Sequence, residues 1–214
     1  MDEEITIIDS NARNERIKNF FINNKKKLII IASIILVIII GYLSFEKSKE
    51  KTKIKLANKY NLALIDLNPE NKQKIINEMV NVIKSHDTTY SPLALYHLLD
   101  NNLLDNNDEI NILFDELIEN TNLENEIKNL IIYKKALFNS DFVSENELLK
   151  ILNPVINSES IWKSHTLYLL AEFFYSKGEK QKAKEFFNQI LVLPNANNGI
   201  KIESQKRLNR DLGE

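Results

Sequence analysis

Polar residues dominate as far as Lys27, apolar residues then run unbroken from Leu28 to Phe45, and beyond Glu46 apolar positions return at helical spacing. The middle stretch, LIIIASIILVIIIGYLSF, is eighteen residues without a charge, set between Lys25-Lys26-Lys27 and Glu46-Lys47. At 1.5 Å per helical residue it measures about 27 Å, close to the hydrocarbon thickness of a bilayer. A core helix of a soluble protein would show a polar stripe, and this one has none. The pattern predicts a single transmembrane helix, its borders marked by Lys25, Lys26, Lys27 and Leu28 at one end and Phe45 at the other, with Ile34 and Ile40 inside.

A cleaved signal peptide has a shorter apolar core and small residues at its cleavage site. Here 27 residues precede a longer core, and Gly41-Tyr42-Leu43-Ser44-Phe45 offers no such site. An uncleaved anchor is expected. In the preceding tail, Ile17, Phe20 and Phe21 fall at helical spacing beside Arg13, Arg16 and Lys18. That suits either an amphipathic helix on the inner leaflet or an unstructured tail. Six basic residues lie in 13–27 and six in 46–60, a tie under the positive-inside rule. The triple lysine abutting the apolar core favours a cytoplasmic N-terminus.

After the anchor, helical stripes follow one another. Ala57, Tyr60, Leu64 and Leu67 form the first, with no breaker separating it from the anchor. Asn68-Pro69 predicts a cap and first helical residue, ahead of Ile76, Met79, Val80 and Ile83. Ser91-Pro92 opens a helix with Leu95, Leu98 and Leu99. Ile110, Leu113, Phe114 and Leu117 mark the next, and Ile127, Leu130, Ile131, Lys134 and Leu137 the one after. Ser144 with Glu147 predicts a capping box before Leu148, Leu149 and Leu152, and Asn153-Pro154 predicts that helix's end. Trp162, His165, Leu169 and Phe173 precede the Gly178 turn; Ala183, Phe187 and Ile190 run on to Pro194. A last, more polar helix over 200–212, with Arg207 and Arg210, suits the end of a stack. Ser204, on this helix, is the expected place for a unique label.

Composition agrees with an all-α chain. Four Gly and four Pro are too few for hairpin turns, and ten Phe with seven Tyr suffice for a core. A net charge of -2 leaves no electrostatic footprint for nucleic acid. No Cys is present, which excludes disulfides and thiol catalysis. His86, His97 and His165 are isolated, with no i, i+4 partner for a metal site. Ser85-His86-Asp87 holds triad residue types, but sequence neighbours do not make a triad. There is no paired-glycine phosphate loop. No cofactor, metal or catalytic residue is expected, and a binding role is expected over an enzymatic one.

Internal repetition distinguishes a bundle from a stack of helical hairpins. In LYLLAEFFYSKGEKQKAKEFFNQILVLP, Ala171, Gly178, Ala183 and Phe187 stand 7, 5 and 4 residues apart, with Pro194 following. Those are the spacings of a tetratricopeptide repeat: small residues let two helices approach, Gly178 turns, and Phe187 fills the groove. Ala94, Phe114 and Leu152-Asn153-Pro154 are degenerate echoes. The expected fold is an N-terminal single transmembrane helix followed by a tetratricopeptide-like stack, with residues 1–27 a tail, 28–45 the membrane helix and 46–214 the helical domain. In the doublets Phe173-Phe174 and Phe186-Phe187, Phe173 and Phe186 are candidates for a partner-binding face.

With these features the chain resembles the membrane-anchored, tetratricopeptide-like ancillary subunits of the bacterial SecYEG translocon, of the YfgM type. The tail, anchor and domain length match by architecture, and LLAEFFYSKGEKQKAKEFFNQIL is similar to their last repeat. The resemblance implies an inner-membrane protein with a cytoplasmic N-terminus and a periplasmic domain. Its implied partners are the translocon and periplasmic chaperones. A second expectation is an envelope or division scaffold that self-associates, with Lys47–Leu67 forming a juxtamembrane coiled coil.

Overall fold

The computed structural model describes the backbone of residues 2–68 and 70–213, and the side chains of 15–16, 18–68 and 70–213. Ile17 and Arg13, read above as part of an amphipathic face, and Pro69, read as a first helical residue, lie outside the described side chains. Among the described residues there are helices and no strands. In order they are α1 (Asp2–Ile65), α2 (Lys72–Ile83), α3 (Tyr90–Asp100), α4 (Asn107–Asn120) and α5 (Asn125–Asn139). After them come α6 (Glu145–Ile156), α7 (Lys163–Ser176), α8 (Lys180–Val192) and α9 (Asn198–Asp211). The chain divides into two compact units, Met1–Lys55 and Leu56–Glu214.

The first unit is helical. Its section of α1 carries the apolar run, whose side chains are exposed: Ile34 is 54% exposed and Phe45 60%. This helix is long and apolar enough to cross a membrane.

In the second unit the apolar stripe that opens the domain is Leu56, Tyr60, Ala63 and Leu67. It is offset from the expected one: Leu64 is exposed, and Tyr60 instead meets the rings of Tyr90 and His97. These residues are committed to the domain core, which leaves them unavailable to a coiled-coil seam. α2 begins at Lys72 with Asn71 at its N-cap, later than Asn68 suggests; the Asn68 side chain accepts the Asn71 amide and forms the entry turn. Each following helix packs on the next, and α2 also touches α4, α5 touches α7, and α7 touches α9.

Two apolar cores result, one around Met79, Leu95, Phe114 and Leu117, the other around Leu148, Leu170, Phe174 and Phe187. Helix α5 serves both, giving Ile131 to the first and Ala136 to the second. Local chemistry sets the helix ends. Ser144 and Glu147 form the expected capping box. Gly178 has φ 79°, and the Glu179 and Gly178 amides donate to the Phe174 and Tyr175 carbonyls, a Schellman turn that needs a left-handed residue. Asn102 (φ 48°) does the same after α3, with Leu103 folding back onto the core. Pro154 does not end α6, which continues to Ile156 because Val155 is fully buried beyond it. On the polar last helix Arg207 grips Glu172 with two hydrogen bonds of 2.7 and 2.8 Å, joining α9 to α7.

Burial lowers the pKa of His97, against a smaller opposing pull from Asp100, and burial also lowers that of His165, against the Ile161 carbonyl. Both fall below the ordinary value of about 6.5, so below that pH the unfolded chain binds more protons than the folded one. Stability is therefore present above pH about 6.5 and is lost as pH falls from there through the folded values. Urea midpoints measured from pH 7 down to 5 should decrease, and the His97→Gln, His165→Gln double variant should flatten that slope.

Candidate functional site

Helices α4 and α6 both pack on α5 but make no substantial contact with each other. A groove of about 740 Å³ opens between them, with α5 as its floor. The wall from α4 is polar: Asn107, Asn111, Asp115 and Glu119 recur every fourth residue and so stand in one row, with Asp108 beside them. The opposite face of α4 carries the buried Ile110, Leu113, Phe114 and Leu117. The α6 side is more apolar, with Phe142 and Val143 at its entry and Ile151 and Pro154 along it.

At the floor, Asn111 and Asn139 exchange side-chain hydrogen bonds of 3.0 and 2.7 Å. The remaining amide hydrogens go to the Asn107 and Lys135 carbonyls. All four N–H groups of the two carboxamides are thereby claimed, while each Oδ1 keeps an unused lone pair. Asn139 is 3% exposed, so this pair is a polar lock inside the packing. Asn139→Ala would leave the Asn111 amide short of a partner and should cost about 1–3 kcal/mol. A denaturant midpoint measures it, and Asn111→Ala should cost less in the Asn139→Ala background than alone.

Lys135 Nζ lies 2.5 Å from Asp115 and neutralises it. Lys150 lies one turn from Glu147, whose carboxyl is held below the usual range first by the Ser144 amide and then by its hydroxyl. The groove therefore holds four carboxylates (Asp108, Asp115, Glu119, Glu147) against two ammonium groups (Lys135, Lys150), a net charge of minus two. Among the described residues Asp108, Glu119 and Glu147 have no cation bound to them, and Glu147 is held by Ser144 instead.

The residues singled out in the sequence lie elsewhere. Ala171, Ala183 and Phe187 are fully buried where α7 and α8 meet, Gly178 turns between the two helices, and Pro194 is exposed in the following loop. Phe173 is only 6% exposed, crossed by Lys177 and set edge-on to Phe174; its remaining surface faces a cavity of about 240 Å³ with Ser140, Asp141 and Glu172. Phe186 is half-buried and stacked on Phe174. Trp162 stacks on Tyr133 and, with His165, Asn195 and Asn197, borders a cavity of about 410 Å³.

Ser85, His86 and Asp87 turn to three different partners: the Val82 carbonyl, Glu116, and the Thr89 and Tyr90 amides. Ser85 closes the end of α2, Asp87 the start of α3, and His86 ties the turn between them to α4. Lys25, Lys26, Lys27, Leu28, Ile34, Ile40 and Phe45 all lie on α1. Sequence reasoning missed the groove, although the four-residue polar spacing in α4 was its visible trace.

Among protein-family models, curated proteins and solved structures, nothing matches this chain.

Proposed function

We propose that the chain is a membrane-anchored helical module that binds a protein partner in the groove between α4 and α6. The observation that carries this reading is the groove itself, an open, half-apolar cleft of net charge minus two, whose central Asn111–Asn139 pair spends all its amide hydrogens internally. The uncovered apolar run Leu28–Phe45 supports the anchor.

The domain is read as a tetratricopeptide-like stack. Its support is that α5–α6–α7 and α7–α8–α9 each combine neighbour and next-neighbour packing, with Ala171 and Ala183 at the close approach and Phe187 between them. The alternation slips at α4 and α5, and the groove opens at that slip. This arrangement suits an ancillary translocon subunit of the YfgM type. The N-terminus would then lie in the cytoplasm of a bacterium and the helical domain in its periplasm, passing translocated chains to chaperones. Because Leu56, Tyr60 and Ala63 are packed within the domain, self-association through a juxtamembrane coiled coil is the less favoured reading.

A photo-crosslinking residue placed at Lys150, on the groove, should trap a protein partner in intact cells, whereas one at exposed Asn188 on α8 should not. Recovery of a translocon subunit is expected. A different protein would remove the translocon assignment, and equal, unspecific adducts from both positions would remove the binding groove.

A further inference from the structure

We infer that the groove takes an extended peptide segment in which Lys or Arg alternates with apolar residues; this rests on the protein-binding reading above. The two walls differ in kind. The α4 wall presents Asp108 and Glu119 without bound cations, together with the Asn111 oxygen, whereas the facing wall presents Phe142, Val143, Ile151 and Pro154, with Glu147 and Lys150 offsetting each other's charge one turn apart. Carboxylates outnumber ammonium groups by four to two. The Asn111–Asn139 lock uses every amide hydrogen it owns, and Lys135 is held by Asp115. Pro154 adds to the imbalance, because it has no N–H to offer the Lys150 carbonyl one turn earlier. A ligand that satisfies these walls must bring donors and positive charge to one side and apolar groups to the other.

An extended strand does this by construction, since its successive side chains point in opposite directions. Asp108 and Glu119 are eleven residues apart on α4, about 16 Å at the helical rise. Basic residues four or six positions apart in an extended segment share an edge and lie about 13 or 20 Å apart, bracketing that separation.

The test uses the full-length chain in lipid nanodiscs. The chain contains no Cys, so Asn107→Cys places a unique thiol on the groove. The probes are three capped peptides: Lys-Leu-Ser-Leu-Lys-Leu, its counterpart with Glu at both Lys positions, and the scrambled Leu-Leu-Leu-Ser-Lys-Lys. The first should slow maleimide labelling of Asn107→Cys, and the other two should not. Asp108→Asn with Glu119→Gln should weaken that protection about fivefold, and Glu185→Gln on exposed α8 should leave it unchanged.

Equal protection by the acidic or scrambled peptide overturns the inference. So does indifference to Asp108→Asn with Glu119→Gln, or an equal effect of Glu185→Gln. If no peptide protects while the crosslinker at Lys150 still traps a protein, the alternating basic ligand is wrong and the binding groove stands. If both experiments are negative, both fall.

Discussion

Phe187→Ala should destabilise the helical domain by about 3–5 kcal/mol, among the largest losses available to a single substitution here. The ring is fully buried, sits edge-on to Tyr168 at 5.5 Å, and belongs to the core that α7 and α8 share. The site cannot collapse easily. Ala171 and Ala183 already hold the helices at close approach, so the two backbones have little room to move closer and fill the space. Phe186→Ala should cost clearly less, since Phe186 is half-buried and loses mainly its stacking on Phe174. Trp162 is the single tryptophan and lies in this domain, so its fluorescence during urea unfolding reports the domain without interference from α1. A Phe187→Ala midpoint within 1 kcal/mol of the parent would mean that α7 and α8 do not pack as described.

The second large effect concerns the first unit. Ile35→Arg with Ile38→Arg should release the protein from membranes. Each arginine near the middle of a span raises the insertion free energy by about 2.5–3.5 kcal/mol, so the pair adds about 5–7 kcal/mol. That is comparable to the total favourable contribution of an eighteen-residue apolar run, at about 0.3–0.6 kcal/mol for each Leu, Ile, Phe or Val. Alkaline carbonate extraction reads the outcome: the parent should stay in the pellet and the double variant should move to the supernatant. Ser48→Arg, outside the apolar run, should not move. If the double variant also stays in the pellet, the Leu28–Phe45 segment is not what holds the chain there.

How much of this was legible in advance depended on how many faces each helix buries. In α4 and α8 one face is buried, and Ile110, Leu113, Phe114, Leu117 and Ala183, Phe187, Ile190 were all readable from their spacing. Helix α5 touches α4, α6 and α7, and there the strongest apolar letters misled: Ile127 and Leu137 are exposed, whereas Ala136 and Asn139 are buried. Small residues carry little hydropathic weight, yet they sit where helices come closest, as Ala63 does at the start of the domain.

Position 204 makes the same point. It reads as a polar surface residue, but Ser204 is fully buried with its hydroxyl on the Ile200 carbonyl, so the label belongs on exposed Gln205. The groove was hidden for a different reason. Its row of Asn107, Asn111, Asp115 and Glu119 looks like any solvated helix face until α6 is placed opposite it. That placement is a tertiary event, and no local propensity encodes it.

We propose a binding module that the Leu28–Phe45 helix holds outside the cytoplasm, and the side of the membrane occupied by Gln205 tests this most directly. Gln205→Cys in the cysteine-free chain would be treated with a membrane-impermeant maleimide in cells with a permeabilised outer envelope, and lysed cells would provide the full-labelling reference. Labelling before lysis, to the level of the lysed reference, is the predicted result. Labelling only after lysis would contradict it and would put the helical domain, groove included, in the cytoplasm.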